Sequence, residues 1–356
     1  MKFETTTFRF EDLTLNYDKQ RIPLSSGQRE KRQGQYRYYG AQGVIDYVDD
    51  YIFDGKYLLI AEDGENLKSK KQDIAQIVEG KFWVNNHAHV VQGNALCLTD
   101  YLCYLLNHND LSGYITGSAQ PKLSQANLNA IAFEVPSIET QQNIVSIISA
   151  LDEKIAINRA INDNLQQQAQ AIYCDIFITN ANPSWQLGRL SDLIIVRYGK
   201  DHKKLADGIY PVYGSGGIMR YAEKPLYDKE SVLIPRKGTL NNVMYVNKPF
   251  WSVDTMFFTE MKLPNVAKFV FHFVKSKDLA SLNAGSAVPS MTTDILNAME
   301  LSIPDADTFY KFENIVAPLY QAMQQNTQES SKLAELRDSL LPRLMSGEID
   351  VADIDL

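Results

Sequence analysis

Steps of four and three through residues 139–177 pick out Ile144, Ile148, Leu151, Ile155, Asn158, Asn162, Leu165, Ala169, Ile172 and Ile176. Eight of these ten are apolar, and no Pro or Gly interrupts them. The spacing predicts one long helix with a heptad seam. Adding 168 to each number gives Phe312, Val316, Leu319, Met323, Asn326, Ser330, Leu333, Arg337, Leu340 and Leu344, a second seam with the first Asn in the same place. Each helix carries only a narrow apolar stripe, so neither is stable alone and the two are expected to bury their stripes against each other.

The offset extends beyond the helices. Phe82 and Trp83 match Phe250 and Trp251, and Gly117, Ser118, Ala119 and Pro121 match Gly285, Ser286, Ala287 and Pro289. Leu128, Asn129 and Pro136 match Leu296, Asn297 and Pro304. Nearer the start of each copy the offset is 174: Tyr39, Gly40, Gly43, Tyr47, Asp54, Leu59, Ile60 and Gly64 match Tyr213, Gly214, Gly217, Tyr221, Asp228, Leu233, Ile234 and Gly238. The second copy is therefore about six residues shorter between Gly238 and Phe250. The chain reads head, helix, head, helix. The expected divisions are a first head over 1–137, a helix over 138–180, a second head over 181–305, a second helix over 306–347 and an acidic tail over 348–356.

Strand-like runs in the first head cover 57–61, 82–91 and 131–135, with a short buried helix over 100–107 and a turn-rich loop over 113–121. The second head repeats them at 231–235, 250–259, 266–274, 285–289 and 299–303. Short strands with few helices predict an α+β head around a twisted antiparallel or mixed sheet. The second helix has to run antiparallel to the first, because a head interrupts the chain between them. The first helix has about 39 residues and a length on the order of 58 Å. A head at each end of such a rod, related by a pseudo-two-fold axis, suits two unlike half-sequences of DNA a fixed distance apart. Asn158 and Asn326, at equivalent seam positions, either fix the register or pair only with water. Gly347 is expected to cap the second helix, and the antiparallel return brings that end near the first head.

Length allows two or three domains, each with its own core. A net charge of −8 argues against a chain coated in nucleic acid. Cys97, Cys103 and Cys174 form no CxxC pair, so free thiols in a reducing cytosol are expected. The first residues have no apolar core of a signal peptide, and the apolar runs are too short to span a bilayer. Charge is nonetheless uneven. Lys19, Arg21, Arg29, Lys31, Arg32 and Arg37 are interleaved with Tyr36, Tyr38 and Tyr39. In the second head Arg197, Lys200, Lys203 and Lys204 flank Tyr198, and Arg236 and Lys237 precede Gly238. Basic residues mixed with aromatics suit a phosphate backbone with bases close by, although most such segments are solvated loops.

Catalytic chemistry is missing. Residues 182–185, Asn-Pro-Ser-Trp, nearly form the Asn-Pro-Pro-aromatic motif that resembles amino-methyltransferase sites, but no cofactor loop accompanies them, so they read as a linker turn. Residues 214–217 are Gly-rich without phosphate-loop spacing, and no GxxxxGK[ST] occurs. Asp152, Glu153 and Lys154 have the acidic-x-Lys form of some nucleases, yet lie on the long helix with no partner acid and read as a solvated face. His87 and His89 alternate on an expected strand and would face one side. Their counterparts are Thr255 and Phe257, so a structural or base-contacting role is favoured over a metal, and no metal or catalytic residue is assigned. Positions that differ between matching copies, Asn86 and His87 against Asp254 and Thr255, and Gln120 against Val288, are where two heads could read different sequences.

The repeat, residues 39–43 and 213–217, Asn85-Asn86-His87-Ala88-His89, residues 117–121 and the closing Leu-Leu-Pro-Arg-Leu-Met-Ser-Gly-Glu-Ile of 340–349 together resemble the specificity subunit of type I restriction–modification systems. The resemblance covers essentially the whole chain. It implies two target recognition domains, each reading one half of a bipartite asymmetric site on double-stranded DNA. It further implies that the helices are a spacer and docking platform for two modification subunits. Those partners would carry S-adenosylmethionine and methylate adenine, while restriction subunits using ATP and Mg2+ would join through them. This chain would bind no cofactor, catalyse nothing and reside in a bacterial or archaeal cytoplasm, away from membranes. Carried onto this sequence, the recognition loops fall at 28–42, Asn86, His87 and 120–122 in the first head. In the second they fall at 197–204, 215–220, Arg236, Lys237, Asp254, Thr255 and 287–290. Side chains able to reach base edges or phosphates there include Gln42, Gln120, Lys122, Ser215, Arg220 and Ser290. Two other readings stay open on the residues: a methyltransferase fused to its own recognition domain, and a coiled-coil interaction protein whose heads bind proteins.

Overall fold

The computed structural model describes residues 3–69, 72–117, 120–282, 290–349 and 351. The chain forms two compact units. The first joins residues 1–157 to 329–356, and the second spans 158–328. Each unit thus holds one head, half of the first long helix and half of the second. The helices are Ile138–Cys174, continued by a π-helical turn over Asp175–Thr179, and Ala306–Met345.

Within each unit the two helices run antiparallel. In the first unit Arg337 bonds Asp152 at 2.7 Å and Lys154 approaches Glu329 at 3.4 Å, while Ile144 and Ile148 share a core with Leu344. In the second unit Asn162 and Asn326 are bonded side chain to side chain at 2.9 Å, Asn162 donates to the Met323 carbonyl at 3.1 Å, and Phe177 packs on Phe312. The seam residues face inward throughout: Ile144, Ile148, Ile155, Phe312, Val316 and Leu344 are buried, and Leu151, Leu165, Ile172, Leu319, Met323, Leu333 and Leu340 are half-buried. Asn158 is buried and donates to the Asn326 carbonyl at 3.5 Å, so the seam Asn residues bond across the helices rather than to water alone. Gly347 caps the second helix in the left-handed conformation, φ 68°, with the Glu348 amide returning to the Arg343 carbonyl at 2.9 Å.

The first head is built on a six-stranded mixed sheet. In spatial order its strands are Thr14–Asn16, Ala88–Gly93, Phe53–Ala61, Ala75–Val84, Gln33–Gly40 and Gly43–Val48. The second head keeps that order with Ile194–Tyr198, Met256–Met261, Ser231–Pro235, Met244–Val246, then Trp251–Ser252, Asp207–Gly214 and Gly217–Ala222. The long fourth strand of the first head is split in two there, and the matched pairings of Leu59 with Gln76 and Leu233 with Met244 place the lost residues before it, between Gly238 and Met244. In both heads Phe82 and Phe250, at matched positions, are fully buried. The expected strands over 82–91 and 250–259 are each broken by a turn, because the Asn85 side chain accepts the His87 amide at 2.8 Å and the Met256 amide returns to Val253 at 2.9 Å.

One further match lies at an offset of 180, outside the two offsets read from the sequence. A short strand pairs with the closing strand in each head (Thr5–Arg9 with Ala132–Pro136, Gln186–Arg189 with Glu300–Ile303), and each enters a single helical turn. Asp12 accepts from the Arg9 amide at 3.0 Å, and Asp192 from that of Arg189 at 2.7 Å.

The chain ends of the first unit meet in one core: Phe3, Leu340, Leu341, Met345, Ile349 and Val351 pack around buried Phe10, Phe133, Ile144 and Leu344. Joining the ends by a short linker and reopening the chain at about Asn180 should therefore give a soluble protein with the parent circular dichroism spectrum. An insoluble permutant beside a soluble parent would contradict this.

The heads dock on their helices through matched positions with different chemistry. In the first unit Tyr104 donates to Asp152 at 3.3 Å, and Asp152 is bound by Arg337, so Asp152 is part of this joint, while Glu153 and Lys154 keep the exposed face expected of the stretch. In the second unit the counterparts of Tyr104 and Asp152 are His272 and Tyr320, 3.0 Å apart, and His272 also bonds the Gln170 side-chain oxygen at 2.8 Å. A neutral ring donating from Nδ1 and accepting at Nε2 satisfies both partners. Burial, helped by the Lys275 charge, pushes the His272 imidazole down to about 4. In the unfolded chain it titrates near 6.5, so between these values the unfolded state takes up a proton that the folded state refuses. Stability is full above pH 6.5, falls by about 1.4 kcal/mol per pH unit as pH drops, and levels off below about 4. Urea unfolding at pH 7 and pH 5 should show this loss in the parent and a smaller one in His272→Gln; equal losses would contradict it.

Candidate nucleic-acid interface

Four loops converge at one end of the first sheet: the turn after Gly40, residues 62–69, the turn at 85–87, and residues 116, 117 and 120–122. Backbone hydrogen bonds stitch them. The Glu62 amide donates to His87 O at 2.9 Å, Leu123 to Glu62 O at 2.8 Å, Asn85 to Tyr39 O at 3.0 Å, and Asp63 bridges to Lys122. The second head makes the same four contacts with its own residues. Arg236 donates to Thr255 O at 2.9 Å, Met291 to Arg236 O at 2.9 Å and Val253 to Tyr213 O at 3.1 Å, and Lys237 bridges to Ser290. The loops turn at Gly64 (φ 128°) and Gly238 (φ 85°), where an added Cβ would meet Asn66 Oδ1 at 2.8 Å and Ser215 Oγ at 2.7 Å.

Side chains on this frame differ sharply between heads. In the first, Asp63 holds His87 Nδ1 at 2.6 Å with His87 half exposed, and Glu62 is paired with Arg21 at 3.1 Å and with Lys122 at 3.3 Å. Gln42 bonds Asn66 at 3.4 Å, and Asn86 and Gln120 are exposed. In the second, exposed Lys237 and half-buried Arg236 occupy the places of Asp63 and Glu62, with exposed Asp254 and half-buried Thr255 opposite. Arg236 lies over the Tyr198 ring at 5.3 Å, and the Ser215 carbonyl accepts from Asn242 at 2.7 Å. Lys200, Lys203 and Lys204 are exposed beside this face, where the Lys200 amide donates to Ser252 O at 2.8 Å.

The interleaved basic and aromatic residues of the first head are mostly committed to each other. Tyr38 is fully buried and its hydroxyl accepts the Leu24 amide at 2.8 Å, so it cannot meet DNA. Arg29 lies over the Tyr38 ring and bonds Asp46 at 2.8 Å, and Arg32 lies over Trp83 and bonds Asp49 at 2.9 Å. Arg37 covers Tyr39 and donates to the Glu79 carbonyl at 2.7 Å. Arg21 is turned inward, donating to Ala88 O at 2.8 Å between Asp18 and Glu62. Of the basic residues in this set only Lys19 and Lys31 are exposed. In the second head Arg197 is paired with Glu260 at 3.0 Å, and Arg220 with Asp207 at 2.8 Å. His87 and His89 do not share a face: His87 caps the turn, whereas His89 is buried between Asp18 at 2.6 Å and the Leu123 carbonyl at 3.0 Å. Of the expected loop over 287–290, only Ser290 falls among the described residues, as do Gly117 and Gln120 but not Ser118 and Ala119.

Glu62 and Asp63 are not among the residues expected from the sequence. Their signal was present, since the 174 offset lays them on Arg236 and Lys237.

A family model described as the type I restriction modification DNA specificity domain matches residues 4–167 and again residues 182–336. The chain belongs to this family. Each matched stretch takes in one head and most of the long helix that follows it. A Haemophilus influenzae protein provisionally named as a type I restriction enzyme specificity subunit is 25% identical over 354 residues, covering 90% of this chain and 91% of that one. The specificity subunit of the HindI enzyme, from the same organism, is 22% identical with 89% and 88% covered. A solved structure of the type I system S subunit from M. genitalium shares the fold, with a TM-score of 0.63 at 16% identity and 96% of each chain covered. The role of the chain is DNA specificity, and specificity subunits are the non-catalytic components of these enzymes. Among the described residues no cluster could hold a metal, and no helix is long and apolar enough to cross a membrane.

Proposed function

We propose that each stitched loop face reads one half of a bipartite, asymmetric site on double-stranded DNA. The long helices set the gap between the halves and dock two methyltransferase subunits. The observation that carries this reading is the repetition of four backbone contacts holding different side chains, Asp63 and His87 in one head and Lys237 and Thr255 in the other. One frame with two chemistries is what two unlike half-sequences require. Exposed apolar side chains on the helices, Ile157 and Leu336 in the first unit and Ile161 and Ile315 in the second, favour a partner platform. S-adenosylmethionine belongs to those partners, and ATP with Mg2+ to any restriction subunit that joins through them. The tagged chain should co-purify a methyltransferase at two copies per chain, and the complex should bind duplex DNA with an affinity that falls steeply with salt. A chain that retains neither partner nor DNA would overturn the proposal.

A further inference from the structure

The residue before the loop glycine, Asp63 in one head and Lys237 in the other, sits on the same backbone frame with opposite charge. Both positions form the same bridge, to Lys122 and to Ser290. The preceding residue is exchanged as well, Glu62 for Arg236. In the first head the Asp63 carboxylate fixes the His87 ring through Nδ1 at 2.6 Å. With the proton on Nδ1, the ring turns an acceptor, Nε2, outward, and His87 is half exposed. Among the described residues the second Asp63 oxygen has no partner. At this position the first head therefore turns acceptors outward. At the same place the second head has the exposed Lys237 ammonium, a donor that forms no ion pair among the described residues.

Major-groove edges divide in the same way. Guanine offers two acceptors, O6 and N7, to Lys or Arg, whereas cytosine and adenine offer amino donors to an acceptor. We propose that the residues at 63 and 237 are specificity-determining, and that the two heads read opposite polarity at equivalent positions of their half-sites. Lys237 selects a guanine, and Asp63 with His87 selects a base bearing an amino group, cytosine or adenine. Phosphate neutralisation is a different role, which would leave sequence preference untouched.

This inference rests on the DNA-specificity reading, and the two fail differently. The experiment is base-modification sequencing of cells that carry the intact complex, with the wild-type chain, Lys237→Gln, Asp63→Lys, and the chain deleted. Lys237→Gln changes an exposed residue, so folding is not at issue, and Gln pairs with adenine. The expected result is that Lys237→Gln alters one base, guanine to adenine, in one half of the modified motif. Methylation of the original motif falls about tenfold or more, and the other half is unchanged. Asp63→Lys should alter one base in the opposite half, toward guanine. An unaltered motif with both variants, with methylation reduced equally at all sites and a DNA-binding salt slope lower by about one, would make these residues phosphate contacts and overturn the inference. No motif lost on deletion of the chain would overturn the DNA-specificity reading itself.

Discussion

One heptad inserted after Ile157 and one after Gln328 should leave both half-sequences of the modified motif intact and lengthen the gap between them. These points lie within the helices at the boundary of the two units, so neither head nor its docking on the helix ends is cut. Seven residues add about 10 Å of helix, or roughly three base pairs at about 3.4 Å each. A whole heptad keeps the seam in phase, so Ile155 and Leu333 stay inward. Methylation of the original motif should fall to background and reappear at the longer gap. An unaltered gap with full modification would show that the helices do not set the distance.

Phe312→Ala should cost about 3–5 kcal/mol, the range for removing a fully buried aromatic side chain. Phe312 has no exposed surface, and its ring packs edge-on against Phe177 at 5.0 Å and lies 6.3 Å from Tyr173 and 6.1 Å from His272. Those neighbours come from the first long helix and from the helix Ala267–Lys275 of the second head. One side chain therefore ties the head to both helices of its unit. Urea unfolding of the variant should show the second unit melting early, while Tyr310→Ala, two positions away and 55% exposed, stays within about 0.5 kcal/mol of the parent. A loss below about 1 kcal/mol at Phe312 would mean that this core does not hold the unit together.

The architecture was legible in the sequence because periodicity survives divergence. Ile144 with Phe312 and Ile148 with Val316 keep the step of a helix seam, and Pro136 with Pro304 keep the end of a closing strand, whatever the heads recognise. The offset at 180 is faint in the sequence because Phe10 and Leu190, and Glu11 and Ser191, are different residues, and only Arg9 with Arg189, Asp12 with Asp192 and Leu13 with Leu193 are identical. The interface was less legible. Arg29, Arg32 and Arg37 near Tyr38, Trp83 and Tyr39 look like a nucleic-acid surface in one dimension. Folded, each guanidinium lies over its own ring, and Asp46, Asp49 or the Glu79 carbonyl takes up its donors. Charge along the chain does not reveal these partners, which come from strands distant in sequence. Glu62 and Asp63 were passed over for the opposite reason, since acids are not sought on a DNA-binding face. Only the frame shared with Arg236 and Lys237 gives them meaning.

The measurement that bears most directly on the DNA-specificity account is base-modification sequencing of host DNA with the chain intact and with it deleted. The account predicts that one split motif, two unlike half-sequences around a fixed gap, loses its methyl marks on deletion and regains them when the chain is restored. A methylation pattern that is the same in both, in cells where the partner methyltransferase is shown to be active, would contradict it.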